Sequence, residues 1–179
     1  RWISSKQTGQ ILLGLAFGGV AWLEMHIPLE PMEGLIIDLR NIPLVLCGAF
    51  LGWRAGLICL AIAMATRYSI GGIGMYSGML AMVIALSVGA LWARFTRNIS
   101  QRRLVHMIAL SLVASSHLGA AFILPEPVKT WFLTTAALPI FFLNFLSITF
   151  AASLLDLEQR KIARENRLAA ASVVDPDHG

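Results

Sequence analysis

Charged residues are scarce in this sequence, and a water-exposed protein surface cannot be built from what remains. Of its 179 residues only 13% are charged, whereas 57% are apolar. The mean hydropathy is +0.73. Soluble globular domains carry about twice that share of charge. The composition excludes a water-soluble enzyme core and predicts an integral membrane protein.

Signatures of catalysis and of metal binding are also missing. The sequence has no G-x-S-x-G, H-E-x-x-H or G-x-x-x-x-G-K-[ST] motif. Its two cysteines, Cys47 and Cys59, lie inside apolar runs, where a thiol behaves as a small apolar group. His26, His117 and Glu24 do not have the spacing of a metal site. We therefore predict no catalytic activity, no cofactor and no metal for this chain.

Long apolar runs are what the sequence does contain. Lipid admits only helices and closed barrels, and these runs do not alternate as barrel strands do, so they predict helices. If residues 39–70 were one helix it would reach about 48 Å, far more than the ~30 Å of hydrocarbon, so a tight turn is predicted at residues 52–56. The fold class predicted is all-α, a six-transmembrane-helix bundle with a cytoplasmic helical extension. The predicted spans are about 9–27, 39–53, 55–70, 74–93, 104–124 and 130–155.

The distribution of basic residues predicts the orientation, because cytoplasmic loops collect lysine and arginine. With six spans, 11 of the 14 basic residues fall on one side, whereas five spans would separate the cluster at 94–103 from the two basic ends. We predict a bacterial inner-membrane protein with both termini cytoplasmic. The pI near 9.6 is then explained by basic residues that face an anionic lipid leaflet, which is the expected partner. No nucleic-acid partner is expected. The 11 residues are Arg1, Lys6, Arg54, Arg94, Arg97, Arg102, Arg103, Arg160, Lys161, Arg164 and Arg167.

Glycines recur in the apolar runs, mostly at four-residue spacing. Such glycines let helix backbones approach closely in lipid, where no hydrophobic force drives helices together. The pattern is common in membrane helices and says nothing about a ligand. The predicted packing positions are Gly14, Gly18, Gly48, Gly52, Gly56, Gly71, Gly72, Gly74 and Gly78.

Polar and ionisable residues gather at the predicted outer ends of the spans. Placing such residues in hydrocarbon costs free energy, so those that occur there are candidates for a functional site. Asp38 and Arg40 are two residues apart and would diverge on a helix, so each needs another partner, and Asp38 with Arg67 is the predicted pair. The cluster is either a charge network that locks the helices or such a lock that also forms a pocket wall. Its members are Glu24, His26, Asp38, Arg40, Asn41, Arg67, Tyr68 and His117, with Asn144 placed deeper.

The last span is followed by a charged, helix-forming segment. We predict domains at 1–155, a transmembrane sensor, and at 156–179, a cytoplasmic helical linker. Leu155, Ile162 and Ala169 are seven apart and predict a homodimer seam, although a single solvated helix is the alternative. The segment ends in a helix breaker at Pro176, so we expect a longer chain with an output domain beyond it.

Three sequence features occur together within residues 10–95. They are a D-x-R at Asp38 and Arg40, a glycine ladder at Gly48, Gly52 and Gly56, and an R-x-x-x-G-G at Arg67, Gly71 and Gly72. In this combination the chain resembles the LytS/YhcK-type multi-transmembrane sensor (5TMR-LYT) domain. It departs from that family at Trp53 and Arg54, where Gly-Pro is frequent. The resemblance implies a sensory input module fused to a histidine kinase, a diguanylate cyclase (GGDEF) domain or a similar output; Asp175-Pro176 also resembles a GGDEF entry.

Two functions from different classes fit these observations. The first is a receptor in which a small extracytoplasmic ligand enters the polar cluster and displaces the sixth helix. The second is a substrate-binding membrane component of a small-solute or vitamin transporter, by analogy of fold alone. A third reading is an anchor that only dimerises an output domain. The charged extension favours the receptor, since a transport component has no need of it.

Overall fold

The architecture was obtained as a computed structural model that describes residues 2–27, 29–32, 35–37, 39–99 and 102–174. Side chains are described for residues 7–27, 39–99 and 102–170. Asp38 and Asp175-Pro176 lie outside the described residues.

Helices account for most of the chain. Helix α1 is followed by two short antiparallel strands, which the sequence did not predict, and then by the other helices. Three stretches depart from α-helical geometry: π-helical turns follow α2 and α6, and a 3-10 stretch follows α5. The elements are α1 (Trp2–His26), β1 (Leu29–Met32), β2 (Leu35–Ile37), α2 (Asn41–Leu46) with its π-helical turn (Cys47–Leu51), α3 (Trp53–Ile70), α4 (Met75–Phe95), α5 (Leu104–Ala114) with its 3-10 stretch (Ser115–Ile123), α6 (Val128–Trp131) with its π-helical turn (Phe132–Ala136), and α7 (Ala137–Val174).

Each predicted apolar run corresponds to a helical segment, but only some segments are both long and apolar enough to span a membrane. Within the described part of the chain, four segments are long and apolar enough to cross a bilayer. Asn41–Leu51 is a shorter apolar helix, and α3 is not among the four. The spanning segments are Gln7–His26, Met75–Phe95, Leu104–Ile123 and Val128–Ala170.

Helices α1 and α3 run in the same direction through the bundle. A Cβ atom added to Gly14 would lie 2.9 Å from the Ala55 carbonyl oxygen, and one added to Gly18 would lie 2.5 Å from Ile62 Cδ1. Contacts that advance together along both sequences define parallel neighbours. The chain must therefore return between α1 and α3, and the segment Asn41–Leu51 makes that passage.

Glycines also bring α4 against the segment Asn41–Leu51. A Cβ atom on Gly48 would lie 2.5 Å from the Leu86 carbonyl oxygen, and one on Gly89 would collide with the Val45 carbonyl oxygen. This backbone contact forms the centre of the bundle, where Leu44 and Met82 are fully buried. Gly89 was not among the predicted packing glycines.

Two predicted packing positions have another role. Gly71 and Gly72 have φ angles of +70° and +87°, and a Cβ atom on either would meet no atom of the described residues within 4 Å. They form the turn between α3 and α4, because left-handed backbone favours glycine. The turn predicted at residues 52–56 is likewise narrower: Gly52 alone, with φ of +95°, separates the π-helical turn from α3.

Helix α7 continues from the bundle into the charged segment without a break. It contains 38 residues, which at ~1.5 Å per residue is about 57 Å, nearly twice the ~30 Å of hydrocarbon. Its first half packs against α5, and residues from Leu157 to Ala170 are exposed. One continuous helix thus joins the bundle to the charged segment that follows residue 155.

Candidate functional site

Two arginine side chains meet at one glycine, and we name this end of the bundle the Gly78 end. If Gly78 carried a Cβ atom, that atom would lie 2.7 Å from Arg40 Nη2 and 3.0 Å from Arg67 Nε. Arg40 is the residue immediately before α2, and Arg67 lies in the last turn of α3. The missing side chain at Gly78 is what leaves room for both guanidinium groups.

Arg67 is only 5% exposed, and part of its hydrogen-bonding capacity is used locally. Its Nη1 donates to the Gly71 carbonyl oxygen at 2.8 Å, which satisfies a backbone acceptor just past the end of α3. The side chain passes Gly74, where a Cβ atom would lie 3.3 Å from Nη2. The glycine-rich turn therefore both ends the helix and leaves a passage for the arginine.

Two like charges in a poorly solvated place repel each other, so anionic groups are needed near them. Glu24, half-buried near the end of α1, is the described carboxylate of the predicted cluster. Glu24, Arg40 and Arg67 all engage in interactions with other groups. The predicted Asp38–Arg67 pair lies outside the described residues and stays a prediction.

A buried polar pair lies between α7 and the 3-10 stretch that follows α5. His117 is 3% exposed and Asn144 is 1% exposed. His117 Nδ1 lies 2.6 Å from the Ala114 carbonyl oxygen, and His117 Nε2 lies 3.3 Å from Asn144 Nδ2. One step further along the same interface, the Ser111 and Thr149 hydroxyls are 2.6 Å apart.

The polar pair and the arginines are connected through α4. Ser77 Oγ donates to the Ala120 carbonyl oxygen at 2.8 Å, which ties α4 to the 3-10 stretch three residues after His117. The next residue of α4 is Gly78, which holds the two guanidinium groups. The membership of His117 in the predicted cluster stays a prediction, and its contact with Asn144 adds a residue that the sequence had placed deeper.

Two members of the predicted cluster do not join it. Tyr68 is 68% exposed, and His26 is exposed, with Nδ1 against the carbonyl oxygen of Trp22 one turn earlier. Asn41 does belong to the buried region: it is 8% exposed. No described residue hydrogen-bonds to its side-chain oxygen.

A second cluster, unforeseen from the sequence, lies at the opposite end of the bundle, which we name the Asp156 end. The Arg102 guanidinium stands 4.8 Å from the Trp92 ring centre and 5.6 Å from that of Phe50. These two rings are 5.5 Å apart. Burial lowers the pKa of Arg102, while the nearby charge of Asp156 acts in the opposite direction. The cation is thus held between aromatic rings and a carboxylate.

Helix α7 is fastened at this end by its own polar residues. Asp156 accepts from Arg160 at 2.7 Å and faces Arg102 at 4.0 Å. Gln159 Nε2 donates to the Phe50 carbonyl oxygen at 2.9 Å. We call these five residues, Phe50, Trp92, Arg102, Asp156 and Gln159, the clamp. The sequence had counted Arg102 only as evidence for orientation.

These features define a helical membrane domain with a buried polar site at one end and a fastened, extended helix at the other. The sequence matches the family described as 5TMR of 5TMR-LYT over residues 3–158, and the chain belongs to that family. The resemblance seen within residues 10–95 is thereby confirmed and extends over most of the chain. Domains of this family are membrane sensor domains and not catalytic ones. No curated protein and no solved structure matches the chain.

Proposed function

We propose that this chain is the sensory input domain of a bacterial inner-membrane receptor and that it binds a small anionic ligand at the Gly78 end. The observation that carries the proposal is the convergence of Arg40 and Arg67 on Gly78. Guanidinium groups bind carboxylate and phosphate oxygens through paired, charge-assisted hydrogen bonds. A site with two of them favours a ligand bearing one of these groups.

The ligand reaches the site from the extracytoplasmic side in a six-span arrangement. Because α1 and α3 run parallel, the chain crosses the bundle once between these two helices. The Asp156 end carries most of the basic residues, which is typical of the cytoplasmic side. Reporter fusions in the loop at 125–129 and at residue 98 test this arrangement. We expect opposite compartments; the same compartment for both would refute six spans.

The signal leaves through α7. Ligand binding shifts the population between two packings of the bundle. The clamp transmits this change in packing to the charged part of α7. The output domain that receives it is a diguanylate cyclase or a histidine kinase, placed after residue 179. A transport component is the alternative, and the unbroken course of α7 through Val174 favours the receptor.

The receptor acts as a homodimer with the exposed part of α7 as one contact. Ile162 is 49% exposed and Ala169 is exposed, whereas Leu155 packs against the core of its own chain. We therefore expect cysteines at 162 and 169 to crosslink between protomers more than cysteines at 155, 160 or 167. Equal crosslinking at all five positions would make α7 a tether without a defined seam.

The anion site is tested by ligand-induced stabilisation of the full-length protein in nanodiscs. The probes are acetate, propionate, succinate, lactate, malate, citrate and inorganic phosphate, and a ligand that binds only the folded state raises Tm. We expect at least one probe to raise Tm in the wild type and not in Arg40→Gln or Arg67→Gln. The matched control is Arg54→Gln, an arginine near the opposite end that stacks on Trp53.

The outcomes separate the two readings of the polar cluster. Stabilisation that is lost in both site variants and retained in Arg54→Gln supports a binding site. If no probe shifts Tm of the wild type, the arginines serve as a structural lock and the proposal is wrong.

A further inference from the structure

The hydrogen bonds of the His117–Asn144 pair fix which way each group points. A carbonyl oxygen only accepts, so the 2.6 Å contact with Ala114 requires a proton on His117 Nδ1. In the neutral imidazole Nε2 is then an acceptor, and Asn144 Nδ2 donates to it at 3.3 Å. An imidazolium would instead set two donors against each other.

This assignment leaves the other end of the Asn144 amide without a partner among the described residues. Asn144 is 1% exposed, and none of the described residues hydrogen-bonds to its Oδ1. A buried acceptor without a donor is unfavourable and uncommon in folded proteins. Asn41, beside Arg40, has a side-chain oxygen in the same condition. Both are acceptors, so a group that satisfies them must be a hydrogen-bond donor.

We infer that the Asn144 side-chain oxygen accepts a hydrogen bond from a hydroxyl group of the ligand, so that the site selects hydroxy acids or hydroxylated phosphates over the same anions without the hydroxyl. This inference rests on the proposed function, because the anionic group of that ligand is held by Arg40 and Arg67. Ser77 of α4 is bonded to Ala120, in the same 3-10 stretch as His117, and the next residue of α4, Gly78, meets the two guanidinium groups, so the stretch that contacts Asn144 packs beside the arginine site. A site that hydrogen-bonds a substrate hydroxyl discriminates strongly against the analogue that lacks it.

The test measures dissociation constants for matched pairs of probes on the full-length protein in nanodiscs. The pairs are lactate with propionate, malate with succinate, and glycerol 3-phosphate with propyl phosphate. For at least one pair we expect the hydroxylated member to bind the wild type about tenfold more tightly, which corresponds to about 1.4 kcal/mol.

Substitutions at Asn144 identify the source of that preference. Asn144→Leu is expected to reduce the preference to less than about twofold while the affinity for the plain acid is kept, since the arginines are unchanged. Asn144→Gln displaces the amide oxygen by one methylene group and is expected to lose the same preference. It replaces the leucine variant in the test if that variant does not fold. Ser111→Ala, in the neighbouring polar contact that Thr149 already satisfies, is the control and keeps the preference.

The results distinguish this inference from the proposed function. If paired probes bind the wild type equally, or if both Asn144 variants keep the preference, the inference is wrong and the anion site stands. An ordered water that stays on Asn144 would give this result. If no acid of the panel binds the wild type, both are wrong.

Discussion

The two ends of the bundle are both rich in arginine, but they differ in how completely their polar groups are paired. At the Asp156 end, Arg102 and Arg160 face one carboxylate and Gln159 reaches a backbone carbonyl. At the Gly78 end, two guanidinium groups crowd one glycine and two buried amide oxygens have no described partner. A paired end suits transmission of movement, and an end with unused acceptors suits binding. Substitutions at each end test this difference.

Removing Arg67 should be the most damaging single change in the polar regions. If Arg67 pairs with Asp38, Arg67→Ala leaves a buried carboxylate uncompensated and costs on the order of 3–5 kcal/mol of unfolding free energy. It also removes the hydrogen bond to Gly71. Reversible unfolding of the purified protein in mixed micelles measures the loss.

The partner is identified with a double-mutant cycle. Arg67→Ala should cost much less in an Asp38→Ala background, with a coupling energy of about 1–3 kcal/mol. The reversed pair, Asp38→Arg with Arg67→Asp, should recover part of the loss. Strictly additive single effects would show that Asp38 is not the partner of Arg67.

The sequence predicts where helices occur along the chain better than it predicts which side of each helix points into the bundle. In lipid both sides of a helix are apolar, so the 3.6-residue period that orients helices in soluble proteins is weak. The helical segments followed from the length of the apolar runs, whereas the count of six spans and the polar cluster with His117 stay predictions. Whether Tyr68 points inward depends on rotation about the helix axis, and the sequence does not encode that in its pattern.

The clamp was missed for a related reason. Arg102 and Asp156 are 54 positions apart, and their contact depends on α5 and α7 lying side by side at one register. Gly89 was missed because it has no glycine four residues away, although it meets the backbone at Val45 and Ala49. Contacts between distant elements require the packing to be known.

The glycine contact between α4 and the segment Asn41–Leu51 connects the two ends, and filling it should give the second largest effect. Gly89→Ala places a methyl group against the backbone at Val45 and Ala49, where neither side can move aside like a flexible side chain. We expect a loss of about 1–3 kcal/mol in unfolding free energy.

Gly19→Ala, in helix α1, is the matched control, because a Cβ atom on Gly19 would meet no atom of the described residues within 4 Å. It should be neutral or gain up to about 1 kcal/mol from helix propensity. Equal losses at both positions would mean that the close approach of α4 does not hold the bundle together.

Opening the clamp should cost less than removing Arg67, because its charges are partly solvated. The Asp156 side chain is 12% exposed and that of Arg102 is 18% exposed. We expect Asp156→Ala to lower the unfolding free energy by about 1–2 kcal/mol. Affinity for an anion at the Gly78 end should change by less than about twofold.

Loss of signalling with retained binding would separate the two ends most sharply. Output activity of the full-length protein should become independent of ligand in Asp156→Ala. Arg103→Ala, an exposed neighbour of Arg102, should leave both properties unchanged. If Asp156→Ala abolished binding as well, the two ends would form a single cooperative unit.

The smallest effect is expected from the ion pair between Glu126, in the loop before α6, and Lys129 in α6. Lys129, 2.8 Å away, and the Thr130 hydroxyl, 2.7 Å away, lower the pKa of the Glu126 carboxyl below its ordinary value. A carboxyl whose pKa is lowered in the folded state adds stability above its unfolded-state pKa, and that stability is lost as the pH falls through the folded-state pKa. Glu126→Gln should therefore lower Tm by roughly one degree at pH 7, because solvent weakens exposed pairs, and by nothing once wild-type Glu126 is protonated in acid. Melting curves of both proteins from pH 7 to below the titration of glutamate check this. A difference that persisted at the acid end would show that the loop is held by the Thr130 hydroxyl and the shape of the side chain, and that charge has no part in it.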